Sequence, residues 1–437
     1  FFFFFLVNSF ESSTNMKEDF LHYVWKYQKL TSLELQTVKG EAISILHPGY
    51  YLETAGPDFF NAQIIIANQK WAGNIEIHVK SSDWYLHNHE RDTAYNNVIL
   101  HVVWEHDSDV FAPNNQEIPV MELRNYVDKE LLLSYKNLIA QKSWIYCENQ
   151  IQEVNSFVVS NWQERLFFER LERKSQYVFD NLVVTQNDWE SVLFLLLAKN
   201  FGLNTNGISF FKIAQSIPFS VIRKEASDLQ NLEALFFGMA GLLDYDKEDT
   251  YFKDLQFRFY YLLQKYAIER VNIEPLQFFK HRPDNFPTIR LAQFASLYHQ
   301  EKHLFSKITY EFSLPLLYER FAVATSEYWQ THYQFDKISP KKSKKLTKSF
   351  IDLLLINTII PIQFAYAKNQ GKEITEELIA LMQSLDSEKN AILDKFKSIG
   401  ISTKNAFEAQ TLLQLKSEYC NKSRCLDCAI GSELLKQ

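Results

Sequence analysis

The chain has 437 residues, 46% hydrophobic and 15% aromatic, enough for two or more cores at about 100–200 residues per domain. Its 46 basic residues against 53 acidic ones give a formal charge of -7, which excludes a surface that is basic throughout and confines any nucleic-acid contact to a local patch. Four cysteines and no secretory signal make the cytoplasm the expected compartment.

Residues 1–15 (FFFFFLVNSFESSTN) lack a positive stretch before the apolar run and read as a non-native or disordered leader, with Met16 opening the amphipathic segment MKEDFLHYVWKYQKL. A helix is predicted over 18–30, followed by extended, β-branched segments: LELQTV, AISILHPG, AQIIIA, NIEIHVK, VILHVVWE and PVMEL. Between the third and fourth main strands, SSDWYLHNHERDTAYNN ends in a short helix capped by Asp92. The order is helix, three strands, helix, strand, which predicts an α+β sheet domain over 16–126. From 127 to 437 helical periodicity takes over, with no fixed internal repeat, and a large all-α domain is predicted there. The longest apolar run, 349–367, is interrupted by Asp352, Asn357, Pro361 and Gln363 and reads as a buried helix, so no membrane partner is expected.

Strand alternation puts Glu76, His78 and Lys80 on one face and Ile75, Ile77 and Val79 on the other. Asp58, after Gly56 and Pro57, stands at the start of the paired strand and can point to the same place. Two carboxylates converging from adjacent strands make an oxygen site for Mg²⁺ or Mn²⁺, and a basic group beside them can orient or deprotonate a water. The bland alternative is a solvent-facing polar row, which half-exposed antiparallel strands produce routinely.

Pro57-Asp58, with Glu76 on the next strand, resembles the PD-(D/E)XK nuclease superfamily. The resemblance implies a restriction-endonuclease-like mixed sheet with an α-β-β-β-α-β core, a metal held by Asp58 and Glu76, and catalysis assisted by a lysine. His78 occupies the position of that lysine, and Lys80 lies two residues further along the same face. Imidazole there shifts the expected metal toward Mn²⁺ or Zn²⁺. From Met16 onward the chain also resembles a bacterial family of unknown function, number 2851, through GPDFFNA, WAGNIEIH, SSDWYLHNHERDTAYNNVILHVV, LFFGMAGLL, RPDNFPTIRLAQFA and YCNKSRCLDCAIG. That resemblance implies no activity.

Six of the eleven histidines fall between His47 and His106. The letters HNH at 87–89 lack the ββα-metal surroundings of HNH nucleases. In an extended segment His87 and His89 would share a face and, with Glu76, His78 or Asp92, form a zinc site; otherwise they hydrogen-bond backbone in a loop. His101, inside VILHVV, reads as a core or sheet-face histidine. Cys420, Cys425 and Cys428 form C-x4-C-x2-C, and with Cys147 they are candidate ligands for Zn²⁺ or an iron–sulfur cluster, against free thiols. Arg290, in the first turns of a helix after Pro287, is expected to pair with a buried acid or to bind a carboxylate or phosphate. The lysine run holding Lys341, Lys342, Lys344 and Lys345 is the candidate phosphate-backbone contact, against a solvated loop. The expected function is a metal-dependent nuclease acting through Asp58, Glu76 and His78 or Lys80. The alternatives are a non-catalytic binding protein on the same fold and a zinc hydrolase centred on His78, His87 and His89.

Overall fold

The computed structural model describes residues 16–32, 34–51, 56–140, 143–279 and 281–436. The leader expected over 1–15 lies outside the described residues. Two compact units divide the chain: the first runs to Trp162 and resumes from Lys416, and the second spans Gln163–Leu415. The C-terminal cysteine segment thus belongs with the sheet, whereas the sequence reading grouped it with the helices.

In the first unit, α1 (Glu18–Lys26) carries Glu18 and Asp19 in its first turn and Lys26 in its last, matching the helix dipole. It buries Phe20, Leu21, Val24 and Trp25, one apolar stripe at helical spacing. The helix stops four residues before the predicted end, where Gln28 turns into the left-handed region. The sheet strands are β1 (Leu35–Gln36), β2 (Ala42–His47), β3 (Tyr50–Tyr51), β4 (Phe59–Ile66), β5 (Gln69–Lys80), β6 (Val98–Glu105) and β7 (Val120–Glu122). Their order is β1-β2-β4-β5-β6-β7, with β3 pairing β4. β2, β4 and β5 pair antiparallel, and Ala67 and Asn68, both at positive φ, make the two-residue turn joining the last two. β6 then pairs parallel to β5, which requires a crossover, and α2 (Asp83–Leu86) with two 3₁₀ turns supplies it. The expected helix at Asp92 is one of these turns, and the Asp92 carboxylate does cap it, accepting from Ala94 N at 2.9 Å.

The second unit is helical around one core. That core includes Leu193, Phe194, Phe236, Phe237, Phe294, Trp329 and Leu354, all fully or nearly fully buried. The helix Lys348–Asn369, which contains a wide turn over Leu355–Ile359, is long and apolar enough to cross a membrane, but 78% of its most apolar window is buried in the protein.

Gly73 sets the spacing between β5 and β6. A Cβ there would stand 2.4 Å from the Ile99 side chain and 2.6 Å from the Asn97 carbonyl, and the carbonyl belongs to backbone that cannot swing aside. Gly73→Ala should therefore cost about 1–3 kcal/mol by overpacking. Urea unfolding followed by tryptophan fluorescence checks this; an unchanged midpoint would mean that the strands part freely.

Candidate metal centre on the buried strand

From Gly73 to His78, β5 is buried on both faces. Glu76 is 4% exposed, His78 2% and His101, its neighbour on β6, 0%. The polar row is therefore not solvent-facing. The crossover lies over it, with Trp84 fully buried and Tyr95 stacked on His89 at 3.9 Å between ring centroids. Buried polar groups must find partners, and these find one another. His78 Nδ1 lies 2.8 Å from His101 Nε2, and His78 Nε2 lies 3.0 Å from His87 Nδ1. Glu76 Oε1 sits 3.5 Å from His78 Nε2 and 3.3 Å from His89 Nε2.

His87 and His89 do not share a face through extended backbone. His87 closes α2, Asn88 takes the left-handed conformation at φ 62°, and His89 opens the next turn. The reversal brings both rings to His78. Among the described residues, the three imidazoles of His78, His87 and His89 form a group whose ligand atoms all lie within 4.8 Å of one another.

Four donors about 2.0–2.1 Å from one ion in a tetrahedron stand about 3.3–3.4 Å apart. The His78–His87, Glu76–His89 and Glu76–His78 separations of 3.0, 3.3 and 3.5 Å lie near that figure, and the group in which every ligand atom is close to every other is that of the three imidazoles, without Glu76. His89 Nε2 is buried and has no hydrogen-bond partner. If His78 Nε2 is a ligand, its Nδ1 carries the proton and donates to His101 Nε2, the outer-shell arrangement that fixes a ligand's tautomer.

The matching family is described as Protein of unknown function (DUF2851), and the match covers residues 18–391, the sheet unit's strands and most of the helical unit. The chain belongs to this family. No curated protein and no solved structure matches it significantly.

In this DUF2851 chain, Asp58 and Glu76 are latched across β4 and β5. Asp58 N donates to Glu76 Oε2 at 3.2 Å, and Ile77 N donates to Asp58 Oδ2 at 2.9 Å. Two partners escaped the sequence reading. His22 on α1 places Nε2 3.2 Å from Asp58 Oδ2, and Tyr51 OH lies 3.5 Å from His22 Nδ1. Glu18, one turn before His22, is close enough to both His22 and Asp58 to feel their charges. The signal available was the Glu18/His22 spacing of i, i+4 in a helix otherwise read only for its apolar face.

Burial, then the charge of Asp58, pushes the Glu76 carboxyl far above the usual carboxylate range, against the opposing hydrogen bond from Asp58 N–H. Without a cation the Asp58–Glu76 pair thus retains a proton at neutral pH. Burial opposes protonation of His22, but the hydrogen bond and charge of Asp58 outweigh it and raise its pKa. Burial and the neighbouring imidazoles of His89 and His87 push His78 down to about 3, and His101 lies well below the ordinary value by burial and the nearness of His78.

The structure does not bring every candidate here. Lys80 turns toward Asp107, whose carboxylate feels its charge, and makes no hydrogen bond or ion pair with Glu76 or His78. His106 faces Ser81 and Asp109 instead. In the helical unit, Arg290 has no acid in direct contact: it donates to Gln293 Oε1 at 2.8 Å and Asn285 Oδ1 at 2.5 Å and lies over the Phe350 ring at 3.5 Å. Lys344 is buried, its ammonium donating to the carbonyls of Trp329 and His332. Lys342 pairs with Asp284 at 2.7 Å, while Lys341 and Lys345 remain exposed. Arg290, Lys342, Lys344 and Lys345 line a cavity of about 320 Å³ rather than an open basic stripe.

The signs of these shifts give a direct test. Both His78 and His101 have folded values below 6.5, so from about pH 6.5 downward the unfolded chain binds protons that these rings refuse. Their contribution is fully present above that pH and is lost as pH falls, at up to about 1.4 kcal/mol per pH unit for each ring. In metal-free protein at about pH 5, the side-chain ¹⁵N shifts of His78 and His101 should be those of neutral imidazole. Imidazolium shifts on either ring would show that water reaches the strand.

Proposed function

We propose that this chain is a metal-dependent phosphodiesterase acting on nucleic acid, with Glu76, His78, His87 and His89 holding the ion. The observation that carries the reading is the meeting of three imidazole nitrogens, from His78, His87 and His89, with Glu76 Oε1 beside two of them, 3.5 Å from His78 and 3.3 Å from His89. Three nitrogens in the set favour Zn²⁺ or Mn²⁺ over Mg²⁺. Further support comes from the α1, β2, β4, β5, α2, β6 succession, the order of elements in the nuclease superfamily core. Asp58 at the start of β4 and Glu76 on β5 match its acidic positions.

When bound, a divalent ion polarises the phosphoryl group and lowers the pKa of water. The chain supplies the rest. Glu76 gives up its proton to become a ligand. Asp58 holds His22 by its Nε2, and the raised pKa of His22 places positive charge beside the centre. A cavity of about 290 Å³ in the same unit is lined by Asp19, His22, Lys26, Tyr51, Lys422 and Arg424. Lys26 lies 3.6 Å from Asp427, and Arg424 donates to the same carboxylate at 3.2 Å, so that two cations are steadied at the wall where a phosphate would sit. A second reading, a binding protein on the same fold, is favoured by His78 standing in the lysine position of the nuclease pattern while the Lys80 side chain makes no hydrogen bond or ion pair with Glu76 or His78.

Calorimetry with Zn²⁺ or Mn²⁺ at about pH 7, in buffers of different ionisation enthalpy, should show about one proton released per ion, and Glu76→Gln should abolish the release. The same ions should support cleavage of single- or double-stranded DNA or RNA, falling at least about 100-fold in His89→Ala. Stoichiometric ion binding with proton release but no cleavage of any of these polymers selects the binding-protein reading. No ion binding at all overturns both the metal centre and the enzyme.

A further inference from the structure

The four cysteines meet in the sheet unit. Lys416 Nζ donates to the Trp144 carbonyl at 3.0 Å, and Tyr146 OH lies 3.4 Å from Ser423 Oγ, which seats the segment before Cys147 against the C-terminal one. The final helix, Ala429–Leu434, is pressed onto Cys425: a Cβ at Gly431 would stand 2.1 Å from the Cys425 carbonyl. Cys428 precedes this helix, and the backbone N–H groups of Ile430 and Gly431 point at its sulfur. Cys147 and Cys428 are buried, Cys420 and Cys425 half-buried, and none is in a disulfide. Cys420 is close enough to the other three for each charge to be felt, and Cys425 likewise senses Cys147 and Cys428. Lys416 near Cys420 and Lys17 near Cys425 supply compensating positive charge.

The spacing distinguishes the occupants. Four thiolates on a single Zn²⁺ at about 2.3 Å stand about 3.8 Å apart. Among the described residues no three of these sulfurs lie within 4.8 Å of one another, although all four are neighbours. At least one separation in every trio therefore exceeds that of ligands sharing one ion. Sulfurs bound to separate irons of one cluster stand farther apart than ligands sharing one ion, and Cys₄ sets with C-x4-C-x2-C runs serve such clusters. N–H groups aimed at a cysteine sulfur also suit a cluster, whose potential such bonds tune.

We propose that Cys147, Cys420, Cys425 and Cys428 ligate an iron–sulfur cluster that pins the C-terminal segment to the rest of the sheet unit. This is independent of the reading of the Glu76 centre. The test is anaerobic purification of the full chain from iron-supplemented cells, with assay of iron, acid-labile sulfide and zinc. The expected result is brown protein with iron and sulfide in equal amounts, broad visible absorption bleached by dithionite, and loss of both elements in Cys425→Ser. Because that variant could lose the cluster by misfolding, the composition of the wild-type chain decides. Stoichiometric zinc without sulfide overturns the proposal. So do four thiols that react with a thiol reagent and take up no iron on anaerobic reconstitution with ferrous iron and sulfide.

Discussion

The contact of His78 Nδ1 with His101 Nε2, both rings buried where β5 and β6 run side by side, is the one on which the rest of the first unit's polar network depends. An imidazole placed where water cannot follow must bond to another polar group or pay the full cost of its lost hydration, about 1–3 kcal/mol for each unsatisfied atom. β5 carries a carboxyl group and an imidazole into such a place. The covering crossover answers with two more imidazoles, His89 buried and His87 exposed, and with the aromatic rings of Trp84 and Tyr95. The network leaves two of its own ring nitrogens over. His89 Nε2 and His101 Nδ1 are buried and lack hydrogen-bond partners.

Asp58 connects this network to α1. Its carboxylate takes a backbone N–H from β5 and faces His22, while its own N–H goes to Glu76. A single residue at the mouth of β4 therefore joins two strands and a helix. α1 in turn presents Lys26 to Asp427 in the C-terminal segment, so the helix meets Asp58 through His22 and the cysteine segment through Lys26.

Much of this was legible in the residues. A mixed α+β unit followed from period-2 runs separated by Gly and Asn turns, although five strands rather than three precede the crossover, and the nearness of Asp58 to Glu76 followed from the hairpin. What escaped depends on through-space packing. Alternation places Glu76 and His78 on one face but is silent on what covers it, so the row read equally well as solvated. Lys80 belongs to the same alternation, yet it lies at the strand's end, only half-buried, where Asp107 feels its charge. His22 and Glu18 were hidden because α1 was read for the stripe it buries. In the helical unit, Arg290 met amides where an acid was expected, and Lys344 turned inward onto backbone carbonyls; a charge run in sequence says nothing of which members the fold will bury.

Asn88 has a consequence beyond its place in the turn. L-residues other than Asn, Asp and Gly occupy its φ of 62° only under strain, and β-branched ones least of all. The meeting of the His87 and His89 rings at His78 is therefore conditional on backbone handedness at Asn88, the residue between them. A β-branched residue there would leave every ligand side chain in the gene intact and still separate His87 from His89. The chain would keep its chemistry in composition and lose it in shape.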